Sequence, residues 1–564
     1  MSIEFSPDLI LHNGKIVTVD GGFSIREAVA IYDGKIVAVG SSAEITALAG
    51  QRTKTENLHG RCVIPGQIDN HTHFLLAGMD ALGSKAKVDI AMLQSIDEIL
   101  DAIAARAKAI PKGEWIGTSC MYRGALKEGR FPTREDLDKA APEHPVYIFQ
   151  SGKNIIANSY ALNMAGIDRN TPQPTEPEGW IVRDANDDPT GHLVAGAGDM
   201  ARKAWWEKAG QPIKKWDFLY FDQERQIEAI KAQQANYHAC GVVGVREMGV
   251  SIDELDAYIE ANRRHDLKIR TDIILGLPSR YLSTDEISSA LKSYFGPKQH
   301  LGDAMLQVSG IKMVVVNDGW WAYSREKVKF LINEFNAHGW NMAIHVNTGG
   351  AGDSSETVIA ALEEANKSRS FDGRRTTFEH GFGLEDPDHQ KRAKALGIIF
   401  GANPLLAYYA SARSLRMNEI MTQVRIAKIV EQDAWKRTVR DWGMPLRDWF
   451  DSGLMVTGGT DNPAVAYDLD QPFLGQYSAV TGNTLAGVLM PDQHVTREEM
   501  LRMYTINSAY SCWREDQLGS VEAGKFADMV VVDQDILECT DDQIKEMQVL
   551  QTYVGGELVF EKSA

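Results

Sequence analysis

The chain has 564 residues, more than a single hydrophobic core usually holds, so we expect at least two domains. An apolar fraction of 44% and a charged fraction of 24% are ordinary for a globular protein and exclude a largely disordered chain. The formal net charge of -18 makes nucleic acid and anionic membranes poor partners, because both would repel a surface of this sign. Small neutral or cationic ligands are easier for such a surface to accommodate, and we expect a small-molecule substrate.

The sequence shows no pattern typical of export or of membrane insertion. Its first residues contain neither the basic run nor the apolar run of a secretory signal, and no segment approaches the roughly 18 to 20 apolar residues of a membrane span. The five cysteines are scattered and form no CxxC pair, which is typical of reduced thiols and not of zinc ligands. We therefore expect a cytoplasmic protein, and we expect it to assemble as a homo-oligomer, namely a dimer.

The two ends of the chain share a β-rich texture. Residues 8–64 alternate short apolar runs with the dipeptides Asn13-Gly14 and Asp33-Gly34. Such dipeptides are strong signals for hairpin turns, because both central residues of these turns need positive φ. The far end of the chain repeats this texture. The pattern predicts one composite β domain formed by residues 1–64 plus 516–564.

The middle of the chain has the pattern of an α/β barrel. Apolar runs typical of strands are mostly followed by helical stretches, as in a parallel sheet. Eight such strands are what a TIM-like (β/α)8 barrel requires, and we assign this barrel to residues 65–515. The predicted strands lie at about 64–70, 242–248, 269–275, 308–316, 341–346, 375–380, 397–402 and 454–460.

A large insertion is expected after the first barrel strand. The stretch from about residue 80 to about residue 225 is too long for an ordinary connection between two strands. It contains a strand-like run at residues 146–149 and a polar, aromatic segment from Gly179 to Trp216. We predict that the insertion acts as a lid or contributes to substrate binding.

Histidines near the start of the barrel indicate a metal site. His71 and His73 are two apart on an extended segment, so their side chains point the same way and can bind one ion. An isolated pair of this kind is more often a chance occurrence. His345, His380 and Asp461, however, each end a predicted strand, and barrel active sites lie at the carboxyl ends of the strands. The joint pattern predicts one metal centre.

Lys312 is unusual because it lies inside the apolar run 308–316, where a charged side chain needs a partner or a function. Its ammonium group can reach the barrel mouth or pair with Asp318. The alternative is a buried, neutral amine that reacts with carbon dioxide and forms a carbamate able to bridge two metal ions. The residues alone leave both possibilities open.

Six motifs are spread over nearly the whole chain. They are DLILHNGKI at 8–16, VIPGQIDNHTH at 63–73, EH at 379–380, TGGTDNP at 457–463, YTINSA at 504–509 and GSVEAGKFAD at 519–528. This set resembles the amidohydrolase superfamily, specifically its family 3 branch of metal-dependent hydrolases, which are similar to N-substituted formamide deformylase or to the exoenzyme regulatory protein.

The resemblance implies both a fold and a set of ligands. The fold is a TIM-like barrel joined to a composite β-sandwich domain from both termini. The cofactor is a binuclear metal centre, for which zinc is expected and manganese, iron or cobalt would also suit the ligands. The implied ligands are His71 and His73 for the more buried ion, Lys312 as a carboxylated bridging lysine, His345 and His380 for the second ion, and Asp461 as ligand and general base.

The chain departs from the family pattern at several positions near the predicted site. Lys153 stands where the branch usually has histidine, and we predict that this cation helps to stabilise charge during the reaction. The pair Arg246-Glu247 replaces the usual His-Asp at the end of the second strand, which leaves its role open. Trp320 and Trp321 stand where smaller residues are common, and they indicate either an aromatic wall that binds a bulky substrate or simple core packing.

The predicted activity is hydrolysis of a non-peptide carbon–nitrogen bond in an amide, formamide, carbamate or cyclic amide. A metal-activated water would attack the carbonyl carbon, and Asp461 would pass its proton to the leaving amine. The same site would also support ester or lactone hydrolysis or decarboxylation, and a homologue without turnover would be regulatory. The complete set of candidate ligands favours an enzyme over the regulatory alternative.

Overall fold

The computed structural model describes most of the chain. The described residues are 6–82, 87–90, 93–118, 121, 126–151, 154–208, 222–293, 301–317, 320–346, 354–381, 384–409, 443–463, 471–485, 487–488 and 490–563. Within these ranges, no helix combines the length and the apolar character needed to cross a membrane.

The amino-terminal strands belong to two different sheets. They are β1 (Leu9–His12), β2 (Lys15–Val17), β3 (Ile25–Arg26), β4 (Ala28–Tyr32), β5 (Lys35–Gly40), β6 (Lys54–Asn57) and β7 (Cys62–Pro65), with a helix at Ser42–Thr46. Asp33 and Gly34 have φ angles of 46° and 73° and join β4 to β5 as an antiparallel hairpin, as predicted. The hairpin predicted at Asn13-Gly14 is wrong, because β1 pairs with β4 and β6 whereas β2 pairs with β3 and β7. That turn instead carries the chain from one sheet to the other.

The insertion forms a sheet of its own after the first barrel strand, β8 (Gln67–Thr72). Its strands are β9 (Lys87–Val88), β10 (Ile116–Thr118), β11 (Val146–Ser151), β12 (Asn154–Ala157), β13 (Gly179–Arg183) and β14 (Pro189–Ala195). The described helices of this region are Phe74–Ala81, Ile96–Ala109, Arg134–Ala140, Ser159–Ala165 and Gly196–Lys208. The order of the strands is β13-β14-β12-β11-β10-β9, and the strand predicted at 146–149 is part of β11.

The barrel strands follow the insertion. The strands from here to the last barrel helix are β15 (Val242–Val250), β16 (Arg270–Gly276), β17 (Leu301–Gly302), β18 (Leu306–Asn317), β19 (Trp320–Trp321), β20 (Met342–Val346), β21 (Thr377–His380), β22 (Ile399–Ala402), β23 (Met455–Gly458), β24 (Asn483–Thr484) and β25 (Gly487–Val488). The described helices are Gln223–Ala239, Ile252–Arg263, Thr284–Ser293, Arg325–Ala337, Ser354–Ser368, Pro387–Ala395, Leu446–Asp451, Pro472–Thr481, Arg497–Tyr504 and Ile506–Ser511.

Eight parallel strands form the barrel sheet in the order β8, β15, β16, β18, β20, β21, β22 and β23. Its two ends meet where the backbone N–H of Asp461 donates to the carbonyl oxygen of His71 at 2.7 Å. The predicted TIM-like barrel is therefore confirmed. The first predicted strand starts too early, because residues up to Pro65 belong to β7 and pair outside the barrel.

Both ends of the chain build the second domain. Strands β26 (Met529–Val532), β27 (Val549–Val554) and β28 (Glu557–Glu561) complete a six-stranded sheet in the order β28-β27-β26-β7-β2-β3, and a helix spans Asp541–Lys545. The four-stranded sheet β5-β4-β1-β6 packs against it through buried side chains such as Val29, Val63 and Tyr553. Strands from both ends of the chain therefore share one sheet, as the predicted fold class requires. Arg270 of the barrel strand β16 ties the two domains together, because its Nε and Nη2 donate to Asp528 at 2.5 and 2.9 Å.

Candidate metal centre

The first barrel strand brings two histidines to the carboxyl end of the sheet. His71 is buried and lies near the end of β8, and His73 follows the strand and is partly exposed. The Nε2 atoms of His71 and His73 lie 3.4 and 3.5 Å from Oδ1 of Asp461. The first and the last strand of the barrel, which are far apart in sequence, therefore lie next to each other at this point.

His380 and Asp461 adopt a backbone conformation that side chains other than glycine rarely take. The φ angle is 73° at His380, the last residue of β21, and 59° at Asp461, which lies just beyond β23. A non-glycine residue in this region is strained by about 1 to 3 kcal/mol, and such strain clusters at functional sites. His71, His380 and Asp461 each offer a ligand atom within 4.8 Å of the others.

The remaining predicted ligands lie beside this group. Nζ of the buried Lys312 is 3.3 Å from Nε2 of His71, and the ring centroids of His345 and His380 are 4.2 Å apart. Four imidazoles, a carboxylate and an amine therefore lie together at one end of the barrel. Among the two options for Lys312, its burial argues against a side chain that extends to solvent.

Protein oxygens hold the Nδ1 atoms of three of these histidines. A histidine whose Nδ1–H donates in this way carries its lone pair on Nε2, which is the usual state of a metal-ligating histidine. The three contacts are His71 Nδ1 to Glu379 Oε2 at 2.7 Å, His73 Nδ1 to the Met248 carbonyl at 3.0 Å, and His380 Nδ1 to Asn403 Oδ1 at 2.9 Å. Together with the carboxylate of Asp461, this donor chemistry fits a divalent metal ion.

Glu379 is itself fixed by a buried network. Nη1 of Arg246 donates to Glu379 Oε1 at 2.9 Å, and the hydroxyl of Thr377 donates to the same oxygen. Gly401 on the neighbouring strand leaves the room for this carboxylate, since a Cβ there would lie 2.6 Å from Glu379 Oε2. Protein groups alone thus balance the charge of the Glu379 carboxylate beside His71 and hold the carboxylate in place.

A second carboxylate, Asp69, holds the end of the last strand against the first. Its oxygens accept hydrogen bonds from the backbone N–H of Thr460 at 2.9 Å and from its hydroxyl at 2.5 Å. They also accept from the hydroxyl of Tyr237 at 3.3 Å. Asp461 follows Thr460 directly, so these bonds position the predicted general base.

Burial controls the protonation of the site. Desolvation lowers the pKa of His71 well below its usual value and, with help from the Lys312 charge, lowers that of His380 to about 3. Desolvation also lowers the pKa of Lys312 and raises that of Asp461. His71 and His380 are therefore neutral at pH 7, as metal ligands must be.

The other predicted site residues have different environments. Glu247 accepts hydrogen bonds from the backbone N–H groups of Phe74 and Leu75 and so caps the helix that follows His73. Trp321 is buried in the main core, with the Arg325 guanidinium 4.1 Å from its ring centroid. The side chains of Lys153, Asp318 and Trp320 lie outside the described residues.

The supporting residues Glu379, Asn403 and Asp69 were not predicted as parts of the site, and Arg246 was noted only as a departure from the family pattern, with its role left open. A signal was present for two of them, because Asp69 and Glu379 are carboxylates in apolar strands, next to or near a predicted ligand. Arg246 is also a charged residue in an apolar strand, whereas Asn403, the residue after β22, is not marked by its sequence neighbours.

Comparison with known proteins supports one family. The amidohydrolase family model matches residues 54–560 of the chain. N-substituted formamide deformylase from Arthrobacter pascens is 29% identical over 580 residues, which cover 99% of this chain and 99% of that protein.

Solved structures show the same fold. An uncharacterised metal-dependent hydrolase from Pyrococcus horikoshii OT3 has a TM-score of 0.65 and 20% identity, covering 95% of this chain and 99% of the other. Atrazine chlorohydrolase from Arthrobacter aurescens TC1, solved in complex with zinc, has a TM-score of 0.54 and 15% identity, covering 98% and 95%. The chain therefore belongs to the amidohydrolase family, and the prediction of a hydrolase of non-peptide carbon–nitrogen bonds is confirmed.

Proposed function

We propose that the protein hydrolyses an N-substituted formamide, or a related amide, carbamate or cyclic amide, with two zinc ions as cofactor. The observation that carries this proposal is the convergence of His71, His73, Lys312, His380 and Asp461 at one end of the barrel. The relative that covers 99% of the chain is a formamide deformylase, and the zinc in the atrazine chlorohydrolase structure supports that choice of metal.

The ligands would be divided between the two ions. His71 and His73 would hold the more buried ion together with Asp461, and His345 and His380 would hold the second. Lys312 would bridge the ions as a carbamate, in which Nζ forms a bond to the carbon of carbon dioxide and loses a proton. Its burial and the 3.3 Å distance to His71 Nε2 support this role, because an uncharged or carboxylated lysine suits such a place better than an ammonium ion.

When bound, the ions would polarise the substrate carbonyl and lower the pKa of a water molecule toward about 7. Asp461 would take a proton from the attacking water and deliver it to the leaving nitrogen, so that the carbon–nitrogen bond breaks with release of the amine and formate. Glu379 would keep the imidazole of His71 in one tautomer throughout, and Asp69 would hold the segment that carries Asp461 in place.

Further parts of the proposal concern residues and properties beyond this cluster. Lys153 would stabilise developing negative charge, and Trp320 and Trp321 would contact the substrate. The chain would act as a dimer in the cytoplasm, and its domains would be divided at residues 64 and 516 with the insertion at about 80–225.

A set of matched substrates tests this function. N-(2-phenylethyl)formamide, N-(2-phenylethyl)acetamide and 2-phenylethyl formate differ only in the acyl group or in the atom of the scissile bond. The zinc-replete protein should release formate from the formamide with the highest kcat/KM. A preference for the ester would support the alternative of ester hydrolysis, and turnover of none of the three would contradict the proposed substrate class.

A further inference from the structure

Two oppositely charged neighbours, Arg246 and Glu247, replace the usual His-Asp pair near the end of the second barrel strand, β15. Arg246 is 0% exposed and Glu247 is 4% exposed. Ions are rarely buried this deeply unless other groups compensate their charge. The partners of the two side chains therefore indicate what each one does.

The side chain of Arg246 crosses the interior of the barrel. Its strand pairs with β8 and β16, yet its Nη1 donates to Glu379 Oε1 at 2.9 Å and to the hydroxyl of Thr377 at 3.1 Å. Both acceptors belong to β21, which lies opposite β15 in the ring of eight strands. The other oxygen of Glu379 lies 2.7 Å from Nδ1 of His71. A single carboxylate therefore separates Arg246 from the predicted ligand His71.

The side chain of Glu247 projects from the opposite face of β15, as the alternation of side chains along a strand requires. Its carboxylate accepts hydrogen bonds from the backbone N–H groups of Phe74 and Leu75. These are the first two residues of the helix that begins directly after His73. Glu247 is also in register with Thr72, the residue before His73. The carboxylate therefore fixes the backbone that carries the second predicted ligand.

The end of β15 also contacts the imidazole of His73. The carbonyl oxygen of Met248 lies 3.0 Å from Nδ1 of His73. Because a carbonyl oxygen only accepts, this contact requires the proton on Nδ1 and leaves the lone pair on Nε2. That Nε2 lies 3.5 Å from Oδ1 of Asp461. The ring and the backbone of His73 are therefore both held by consecutive residues of one strand.

We propose that Arg246 and Glu247 are positioning residues, each of which holds one histidine of the first barrel strand in place for the metal. Arg246 positions His71 through Glu379, and Glu247 positions His73 through the first turn of the following helix. Both histidines hold the more buried ion in the proposed function, on which this inference rests. One dipeptide serves both because consecutive residues of a strand face opposite sides.

The zinc affinity of the full-length protein, measured by competition with a chromophoric chelator, tests these roles without turnover. R246M and E247Q should each weaken zinc binding about 10- to 100-fold, as is typical when a group that orients a ligand is lost. Both should also change the visible absorption spectrum of the cobalt-loaded protein, because that spectrum depends on the geometry of the ligands. An unchanged zinc affinity in either variant would overturn the role of that residue.

Two matched controls separate positioning from a general loss of stability. R270M also removes a buried arginine from an ion pair, here with Asp528 and at the start of the neighbouring strand β16. E254Q also changes a carboxylate that accepts a backbone N–H at the start of a helix, here from Ser251. Both controls should keep a zinc affinity within about threefold of that of the unmodified protein. A loss as large as in the two test variants would show that the effect is structural.

Double variants test the two routes separately. If Arg246 acts through Glu379, R246M/E379Q should bind zinc within about threefold of E379Q. This double variant removes both members of the buried ion pair, so it leaves no unpaired charge that prevents folding. Glu247 acts on the other histidine, so E247Q should weaken zinc binding by the same factor with and without E379Q. A further large loss in R246M/E379Q, or no further loss in E247Q/E379Q, would overturn the assigned routes.

The zinc measurements are independent of the substrate. Zinc binding that depends on Arg246 and Glu247, in a protein that hydrolyses none of the three matched substrates, would support this inference and contradict the proposed function. Turnover of the formamide, with a zinc affinity that neither substitution changes, would contradict this inference alone.

Discussion

Nδ1 of His71 lies 2.7 Å from Oε2 of Glu379, and both side chains are fully buried. This contact orients the imidazole so that Nε2 faces Asp461, and Arg246 balances the charge of the carboxylate. It is the carboxylate–histidine arrangement that raises the basicity of a metal ligand.

The substitution E379Q should weaken zinc binding about 10- to 100-fold, because the amide is a poorer acceptor for the His71 Nδ1–H. The measurement is a zinc titration of the metal-free protein against a chromophoric chelator. E356Q is the control, since Glu356 is a surface residue that pairs with Arg392. Equal zinc affinity of E379Q and the unmodified protein would show that the contact does not support the metal.

The substitution D461N should lower kcat by about 10³-fold or more, because an amide cannot accept the proton of the attacking water. Formate release from N-(2-phenylethyl)formamide gives the rate, and elemental analysis gives the zinc content. A variant that keeps its zinc but loses turnover supports the role as general base. Turnover close to that of the unmodified protein would exclude it.

Lys312 should carry a carbamate when the enzyme is loaded with zinc. Protein prepared with ¹³C-labelled carbon dioxide should show a carbamate carbon resonance, and K312M should lack it. Loss of this bridging ligand should also lower the zinc stoichiometry from about two ions to about one. An unmodified lysine in a protein that still binds two ions would contradict the bridging role.

His192 should make the stability of the protein depend on pH. It is buried beside Phe131 in the insertion, and desolvation lowers its pKa from 6.5 to about 4. Below pH 6.5 the unfolded chain binds a proton at this position that the folded chain does not, so stability falls as the pH falls from 6.5 to 4. Between pH 6.5 and 5 the loss is about 2 kcal/mol.

The variant H192Q should lack this part of the pH dependence. Urea unfolding at pH 6.5 and at pH 5 measures the change in the free energy of unfolding. The difference in this change between the variant and the unmodified protein isolates the contribution of His192 from that of other titrating groups. The same pH dependence in both proteins would show that the imidazole is protonated in the folded state.

The sequence predicts the barrel well because its signals are local. Each apolar run predicted as a barrel strand forms one. The polar residue at its carboxyl end follows directly in the sequence, as His380 follows Phe378 and Glu379. Parallel strands of a barrel end at one face, so local signals on separate strands are sufficient to place the ligands together. The six predicted ligands accordingly lie near one another.

Contacts between distant strands could not be predicted in this way. Arg246 reaches Glu379 across 133 positions of sequence, and only the closed barrel brings the two side chains together. The turn at Asn13-Gly14 has the local signal of a hairpin, but the pairing of β2 with β7 overrides that signal.

The most direct test of the metal-dependent mechanism is the turnover of N-(2-phenylethyl)formamide before and after removal of metal with a chelator. The metal-free protein should lose turnover by more than about 10³-fold while remaining folded, and zinc added back at about two equivalents should restore it. Full turnover by the metal-free protein would contradict the account, because no water would then be activated at His71, His73 and Asp461.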